Sequence, residues 1–129
     1  MREQILIVDD DPVISKLLEI IMSEKYSVIC KQNGIEAFRW LEEGNFPDLI
    51  ISDLQMPYLD GSSFVRNLKI SGFYEETPVV VLSGSEDMQS VIQNMPFTVD
   101  GTISKPFNPT LLKETISNIL NAKRTHAAS

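Results

Sequence analysis

The sequence is poor in the features that mark several large classes of protein. Its single cysteine, Cys30, cannot form an internal disulfide, so we expect a buried small hydrophobic residue and a reducing, cytoplasmic setting. There is no apolar run of the ~20 residues that a membrane helix needs and no signal-peptide pattern at the start, so no membrane association is expected. The formal net charge is −7 with no basic patch, which argues against nucleic-acid binding by this chain.

What is present fits one ordinary globular domain. The chain has 129 residues, of which 43% are hydrophobic and 22% are charged, enough to bury a core. We predict that residues 1–122 form the domain. Residues 123–129, with the basic pair Lys123–Arg124 and the lone His126, are predicted to form a frayed C-terminal tail.

Short apolar runs alternate with amphipathic segments along the chain, a pattern typical of an α/β fold with a parallel sheet. Each run is rich in β-branched residues and is predicted to be a strand buried on both faces. The predicted strands are Gln4–Val8, Ser27–Lys31, Leu49–Ser52, Val79–Leu82 and a short strand around Ile103. The predicted helices run from Pro12 to about Lys25, from about Ile35 to near Gly44, from about Ser62 to Ile70, from Glu86 to about Asn94, and from Pro109 onward.

Polar groups follow the C-terminal ends of these strands. Asp9 and Asp10 follow the first strand, Asp53 the third, Ser83 the fourth and Lys105 the fifth. Ligands of such sheets bind beyond the carboxyl ends of the strands, where the strand order reverses. Clustered carboxylates repel one another, and Mg²⁺ relieves that repulsion while sharing phosphate oxygens. The pattern therefore predicts a site for a Mg²⁺ ion and a phosphoryl group.

These residues suggest a specific chemistry. A carboxylate can attack a phosphoryl donor and form an acyl phosphate, with charge neutralisation as the main task of the protein. Lys105 would pair with the carboxylate and then with phosphoryl oxygens, and the Ser83 hydroxyl would donate to another oxygen. For Asp11 we favour a structural role, because it precedes Pro12 and can cap the first helix.

The chain resembles the receiver domains of two-component response regulators, typified by the single-domain chemotaxis regulator. The resemblance covers about residues 4–120 and is carried by five motifs, namely Ile-Leu-Ile-Val-Asp-Asp-Asp at 5–11, Ile-Ile-Ser-Asp-Leu-Gln-Met-Pro at 50–57, Asp60-Gly61, Val-Val-Val-Leu-Ser-Gly at 79–84 and Lys-Pro-Phe at 105–107. It implies a flavodoxin-like three-layer sandwich, with a five-stranded parallel sheet of order 2-1-3-4-5 and five helices.

The same resemblance implies roles for individual residues. Asp53 would be the phosphoacceptor, assisted by Ser83 and Lys105, and the Lys105–Pro106 bond would be cis. Mg²⁺ or Mn²⁺ would be held by four residues: Asp9, Asp10, Asp53 and the backbone carbonyl of Gln55. The phosphoryl group would come from a phosphohistidine of a sensor histidine kinase or a phosphotransfer protein, and phosphorylation would switch a partner-binding surface. Such a domain is a signalling phosphoacceptor that promotes only its own phosphorylation and dephosphorylation.

Three positions depart from the family pattern. Receivers carry a small Gly-Ala pair where this chain has Thr98 and Val99, and an aromatic residue where it has Thr102. That aromatic residue normally moves inward together with the hydroxyl residue, here Ser83. We therefore expect Thr102 to leave the phosphorylation chemistry intact and to alter the usual output switch.

Two alternative functions remain open from the sequence. Asp9-Asp10-Asp11 also resembles the Asp-x-Asp start of haloacid-dehalogenase-type phosphatases, in which Asp9 would be the nucleophile and Asp11 the general acid/base. Such enzymes need further acids after the lysine, and Glu114 is the only one beyond Lys105. The second alternative is a phosphorylation-independent interaction module. The sequence does not identify the downstream effector. With no effector segment after the last predicted helix, we expect either output through a partner or a chain that is part of a longer protein.

Overall fold

The computed structural model describes residues 2–53, 76–84 and 99–128, and for Ser83 and residues 124–128 it describes the backbone alone. The helices predicted over residues 62–70 and 86–94 lie outside the described residues, as do Gln55 and Thr98. The described strands and helices occur in the predicted order along the chain.

Five parallel strands form one sheet. They are β1 (Gln4–Val8), β2 (Ser27–Lys31), β3 (Leu49–Asp53), β4 (Val79–Ser83) and β5 (Gly101–Ser104). Their spatial order is β2-β1-β3-β4-β5, so the predicted order of the flavodoxin-like fold is confirmed. This order puts β1 next to β3 and brings the ends of these two strands together.

Three helices are described: α1 (Pro12–Met22), α2 (Gly34–Glu42) and α3 (Pro109–Ala128). The sheet is buried on both faces, and the apolar side chains of β1, β3 and β4 are fully inaccessible. One face packs against α1 and α3 through Leu18, Met22, Leu112, Ile116 and Leu120. The other face packs against Ala37 and Leu41 of α2. No helix of the described ranges is both long and apolar enough to cross a membrane.

Each described helix buries fewer of its apolar residues than the sequence pattern predicts. Leu17, Ile35 and Leu111 have the three- and four-residue spacing of apolar residues that predicts a core-facing side, but all three are exposed. A helix lying on a flat sheet buries only one side, and in α1 that side is taken by Leu18, Ile21 and Met22. The first helix also ends at Met22 rather than near Lys25, and the Arg2 guanidinium donates to the Ser23 carbonyl oxygen at 3.0 Å just beyond this end.

The last helix is longer than the sequence indicated. It continues to Ala128 through the segment for which a frayed tail was predicted. Alanine, lysine and arginine are strong helix formers, and basic residues near a helix C-terminus complement the helix dipole. Both factors favour helix over an irregular tail at Lys123–Arg124 and Ala127–Ala128.

Cys30 lies on the edge strand β2 and is half-buried rather than fully buried. Its thiol donates to Glu19 Oε2 at 3.6 Å, and its side chain packs against the core beside α1. Burial raises the pKa of the Cys30 thiol, and the carboxylate of Glu19 adds to that rise. The thiol is therefore held in the protonated form, which fits the structural role predicted for it.

Candidate functional site

The strand register brings the predicted site residues to one edge of the sheet. Val8 of β1 pairs with Ser52 of β3, so Asp9 and Asp53 follow side by side at neighbouring strand ends. Asp53 in turn pairs with Leu82 of β4, one residue before Ser83. Ser83 pairs with Ser104 of β5, and Lys105 is the next residue. The backbone thus delivers Asp9, Asp53, Ser83 and Lys105 to the same edge.

Three carboxylates converge there. Asp9, Asp10 and Asp53 each offer an oxygen, and these oxygens lie within 4.8 Å of one another. Asp9 and Asp53 are buried, whereas Asp10 is exposed. Carboxylates at this separation repel strongly when water is largely excluded, so a nearby positive charge would stabilise the cluster.

The two oxygens of Asp9 have different environments. Oδ1 accepts a hydrogen bond from the Asp11 backbone N–H at 2.9 Å. Oδ2 is buried, and no hydrogen-bond donor of the described residues meets it with good geometry. Burial raises the pKa of Asp9, and the nearby charge of Asp10 adds to the rise, while the Asp11 N–H and the Lys105 ammonium act in the opposite direction.

Lys105 supplies the positive charge of the cluster. Its Nζ lies 3.2 Å from Asp9 Oδ2 and 3.4 Å from Asp53 Oδ2. Burial by itself would lower the pKa of the Lys105 ammonium, but the charges of Asp9 and Asp53 together outweigh it and raise the pKa. The Lys105–Pro106 bond is cis, as the resemblance implied.

The contact between Lys105 and Asp9 was not predicted from the sequence. In the strand order, β5 and β1 are separated by β4 and β3, so adjacency of strands does not indicate this pair. The long stem of lysine spans the gap, and the unmet charge of a buried carboxylate attracts the ammonium. Only the three-dimensional arrangement shows that Lys105 serves two acids.

Asp11 has the structural role that was favoured for it. It is the N-cap of α1, and its Oδ1 accepts from the Val13 N–H at 2.9 Å and from the Ile14 N–H at 3.4 Å. Pro12 occupies the first helical position, where a missing N–H is harmless.

The residues present fit a hard divalent cation. All three candidate ligand atoms are carboxylate oxygens, which are the ligands that Mg²⁺ prefers. The buried Asp9 Oδ2 accepts no hydrogen bond of good geometry from the described residues, so contact with a cation would satisfy it. Asp10 and Asp9 also line an open cavity of about 370 Å³ between α1 and β2, so water can reach these two acids. This arrangement matches an ion that retains water and shares phosphate oxygens.

The remaining predicted residues are placed as follows. The backbone of Ser83 ends β4, beside Ser104. Thr102 lies in the middle of β5, pairs with Val81 and is half-buried. Val99, just before β5, packs against the core on the α2 side of the sheet. Gln55 lies outside the described residues, so its proposed carbonyl contact stays a prediction.

Comparison with known proteins supports the same family. The profile of the response regulator receiver domain matches residues 5–117. The transcriptional regulatory protein AruR of Pseudomonas aeruginosa is 31% identical over an alignment that covers the whole chain and 54% of AruR. The chain therefore spans about half the length of AruR and of other curated relatives that it matches.

Solved structures share the fold over nearly their full length. A response regulator from Chloroflexus aurantiacus superimposes with a TM-score of 0.86 at 27% identity, covering 94% of this chain and 99% of that one. The signal receiver domain of a histidine kinase from Syntrophus aciditrophicus is 34% identical with a TM-score of 0.84, covering 93% and 91%. Nothing in these matches supports the phosphatase alternative. With the fold, the strand-end acids and these matches in agreement, the chain belongs to the response regulator receiver domain family, whose members are signalling phosphoacceptors.

Proposed function

We propose that Asp53 accepts a phosphoryl group from a phosphohistidine of a sensor histidine kinase or a phosphotransfer protein, with Mg²⁺ or Mn²⁺ bound at the neighbouring acids. One observation carries the proposal. Asp53 is a buried carboxylate at a strand end, 3.4 Å from an ammonium and within 4.8 Å of oxygens of two further acids. A nucleophile, a cation site and a counter-charge for a phosphoryl group are thus within one small volume.

The transfer is a single in-line displacement. An oxygen of Asp53 forms a bond to phosphorus as the P–N bond of the phosphohistidine breaks. The electron pair leaves with the imidazole nitrogen, which takes up a proton, and Asp53 becomes an acyl phosphate. The Lys105 ammonium then pairs with one phosphoryl oxygen as a point charge, and the Ser83 hydroxyl donates a hydrogen bond to a second phosphoryl oxygen.

The cation would be held by Asp9, Asp10, Asp53 and the backbone carbonyl of Gln55. When bound, it neutralises charge that develops on the phosphoryl oxygens during transfer. Asp9 is positioned for this by its Oδ1, which the Asp11 N–H holds at the start of α1. Its Oδ2 is thereby directed toward Lys105 and the cluster of acids.

The domain acts on no substrate other than its own phosphoryl group, and it works in the cytoplasm as a carrier of a signal. Residues 1–122 contain every residue of the proposed site, and phosphorylation alters a partner-binding surface. Thr102 replaces the usual aromatic residue on β5, so that surface responds through backbone and helix shifts instead of an aromatic side chain.

The proposal is tested by intact mass spectrometry of the protein after incubation with a purified phosphohistidine donor. We expect one added phosphoryl group in Mg²⁺ and none after the metal is chelated. The matched variant Asp53→Asn keeps the size of the side chain but lacks the nucleophilic carboxylate, and it should gain no phosphoryl group. A wild-type protein that is folded, binds Mg²⁺ and still gains none from any phosphohistidine or small phosphodonor would contradict the proposal.

A further inference from the structure

We propose that Ser52 is a positioning residue for the phosphoacceptor, because its hydroxyl holds the carbonyl group of Asp53 and thereby limits the directions in which the Asp53 carboxylate can point. The inference rests on the proposed function, in which Asp53 receives the phosphoryl group. It assigns a role in that reaction to a residue outside the cluster of three acids.

Ser52 interrupts the apolar run of β3. The strand reads Leu-Ile-Ile-Ser-Asp, and Ser52 is 0% exposed. In the sheet it pairs with Val8 of β1 and with Val81 of β4, and both valines belong to the core on the α2 side. A buried hydroxyl costs free energy unless it is hydrogen-bonded, whereas alanine or valine would not carry that cost. A serine at this position therefore needs a partner for its hydroxyl.

A partner is found in the backbone of the phosphoacceptor. Ser52 Oγ donates to the Asp53 carbonyl oxygen at 3.1 Å, and this hydrogen bond is buried. It lies at the end of the strand, because the register of β3 extends to Ser52 on the β1 side and to Asp53 on the β4 side. The bond thus restrains rotation about ψ of Asp53 at the point where the regular pairing of the strand ends.

A restraint on ψ of Asp53 is also a restraint on its side chain. The rotamers that a side chain can adopt depend on φ and ψ of its own residue, so a fixed carbonyl narrows the choice of χ1. That choice places Asp53 Oδ2 at 3.4 Å from Lys105 Nζ and an Asp53 oxygen within 4.8 Å of oxygens of Asp9 and Asp10. Attack on phosphorus depends on such placement, and small errors in it slow the reaction. Ser52 therefore acts on the rate through Asp53.

The test is the rate constant of phosphorylation by acetyl phosphate at saturating Mg²⁺, followed by intact mass. Two pairs of proteins separate the hydroxyl from the volume of the side chain. The wild type and Ser52→Ala differ only by the hydroxyl oxygen, and Ser52→Thr and Ser52→Val have nearly the same volume. We expect Ser52→Ala to be about threefold to tenfold slower than the wild type, the factor that one hydrogen bond of ordinary net strength represents. Ser52→Val should be slower than Ser52→Thr by a similar factor.

A control separates positioning from loss of stability. Ile116→Val removes one carbon from the core between α3 and the sheet, so it lowers stability at a residue that is not part of the cluster of acids. At a temperature where every variant is folded, its rate constant should stay within about twofold of the wild type. Equal slowing in Ile116→Val and Ser52→Ala would overturn the inference, as would an unchanged rate in Ser52→Ala. If the added volume keeps Ser52→Thr and Ser52→Val from folding, the comparison of Ser52→Ala with Ile116→Val decides alone.

The ¹³C signal of the Asp53 carbonyl reports the hydrogen bond without any phosphodonor. It should move upfield in Ser52→Ala and Ser52→Val and stay near its wild-type position in Ser52→Thr. If the wild type is phosphorylated at Asp53 but neither pair of proteins differs in rate, this inference alone fails. A wild type that is phosphorylated at another residue, or not at all, would contradict both the inference and the proposed function.

Discussion

Replacing Asp11 separates a structural acid from the acids of the site. Asp11→Ala removes the cap of α1, which receives one short bond from Val13 at 2.9 Å and one long bond from Ile14 at 3.4 Å. Losing such a cap costs about 0.5–2 kcal/mol, and with only one short bond we expect about 1 kcal/mol. For a domain of this size that corresponds to a melting temperature lower by roughly 3–5 °C. Asp11→Asn keeps an oxygen acceptor in place and should stay within about 0.5 kcal/mol of the wild type.

The same variant tests which chemistry the acids perform. Phosphorylation of the folded Asp11→Ala protein should proceed at nearly the wild-type rate, because the Asp11 side chain caps a helix and is not one of the three clustered acids. Thermal melting and intact mass, measured on the same samples in Mg²⁺, give the two readouts. A variant that is fully folded yet can no longer be phosphorylated, or can no longer release its phosphoryl group, would refute this reasoning and favour an acid/base role for Asp11.

Three further predictions concern stability and signalling. Burial raises the pKa of Asp9 above its usual 3.8, so ionisation of Asp9 lowers the stability of the folded protein as the pH rises through that pKa. In urea denaturation without metal, Asp9→Asn should therefore be more stable than the wild type at pH 7. The stabilities of the two proteins should converge below about pH 3.8. A Cβ at Gly101 would lie 3.1 Å from Ile119 Cδ1, so Gly101→Ala should lower the free energy of unfolding by about 1 kcal/mol. A Cβ at Gly84 would meet its nearest neighbour, Lys105 Cβ, at 3.9 Å, so the control Gly84→Ala should lose less. Beryllofluoride with Mg²⁺ should change amide exchange around Thr102 and α3, and changes confined to the loops at Asp9 and Asp53 would show that output leaves by another face.

The strands and their order were predictable because buried parallel strands leave a strong local signal. Runs such as Ile5–Val8 and Leu49–Ile51 are apolar on both faces, and their shortness and β-branched residues favour a strand in a covered sheet over a buried helix. Helix starts were also predictable, since Asp11–Pro12 and Asn108–Pro109 combine a cap with a proline. The helix ends and the set of buried residues on each helix were less predictable. They depend on which side of a helix the sheet covers, as the exposed Leu17 and Leu111 show.

The acids of the site were predictable for a topological reason. Asp9 and Asp53 end strands that the 2-1-3-4-5 order makes neighbours, so sequence position alone places them together. The Asp9–Lys105 pair was not predictable, because a flexible side chain crosses two intervening strands to reach Asp9 Oδ2, a buried oxygen that accepts no hydrogen bond of good geometry from the described residues. Long-range pairs of this kind depend on side-chain reach and burial, and neither has a local sequence pattern.

The central claim is that Asp53 carries the phosphoryl group. The most direct measurement is to trap the acyl phosphate of the wild-type protein by borohydride reduction, which converts the modified aspartate to homoserine, and to identify that residue by peptide mass spectrometry. We predict homoserine at position 53, dependent on Mg²⁺ and on the phosphodonor. Homoserine at position 9 would contradict it and would assign the nucleophile to the first strand.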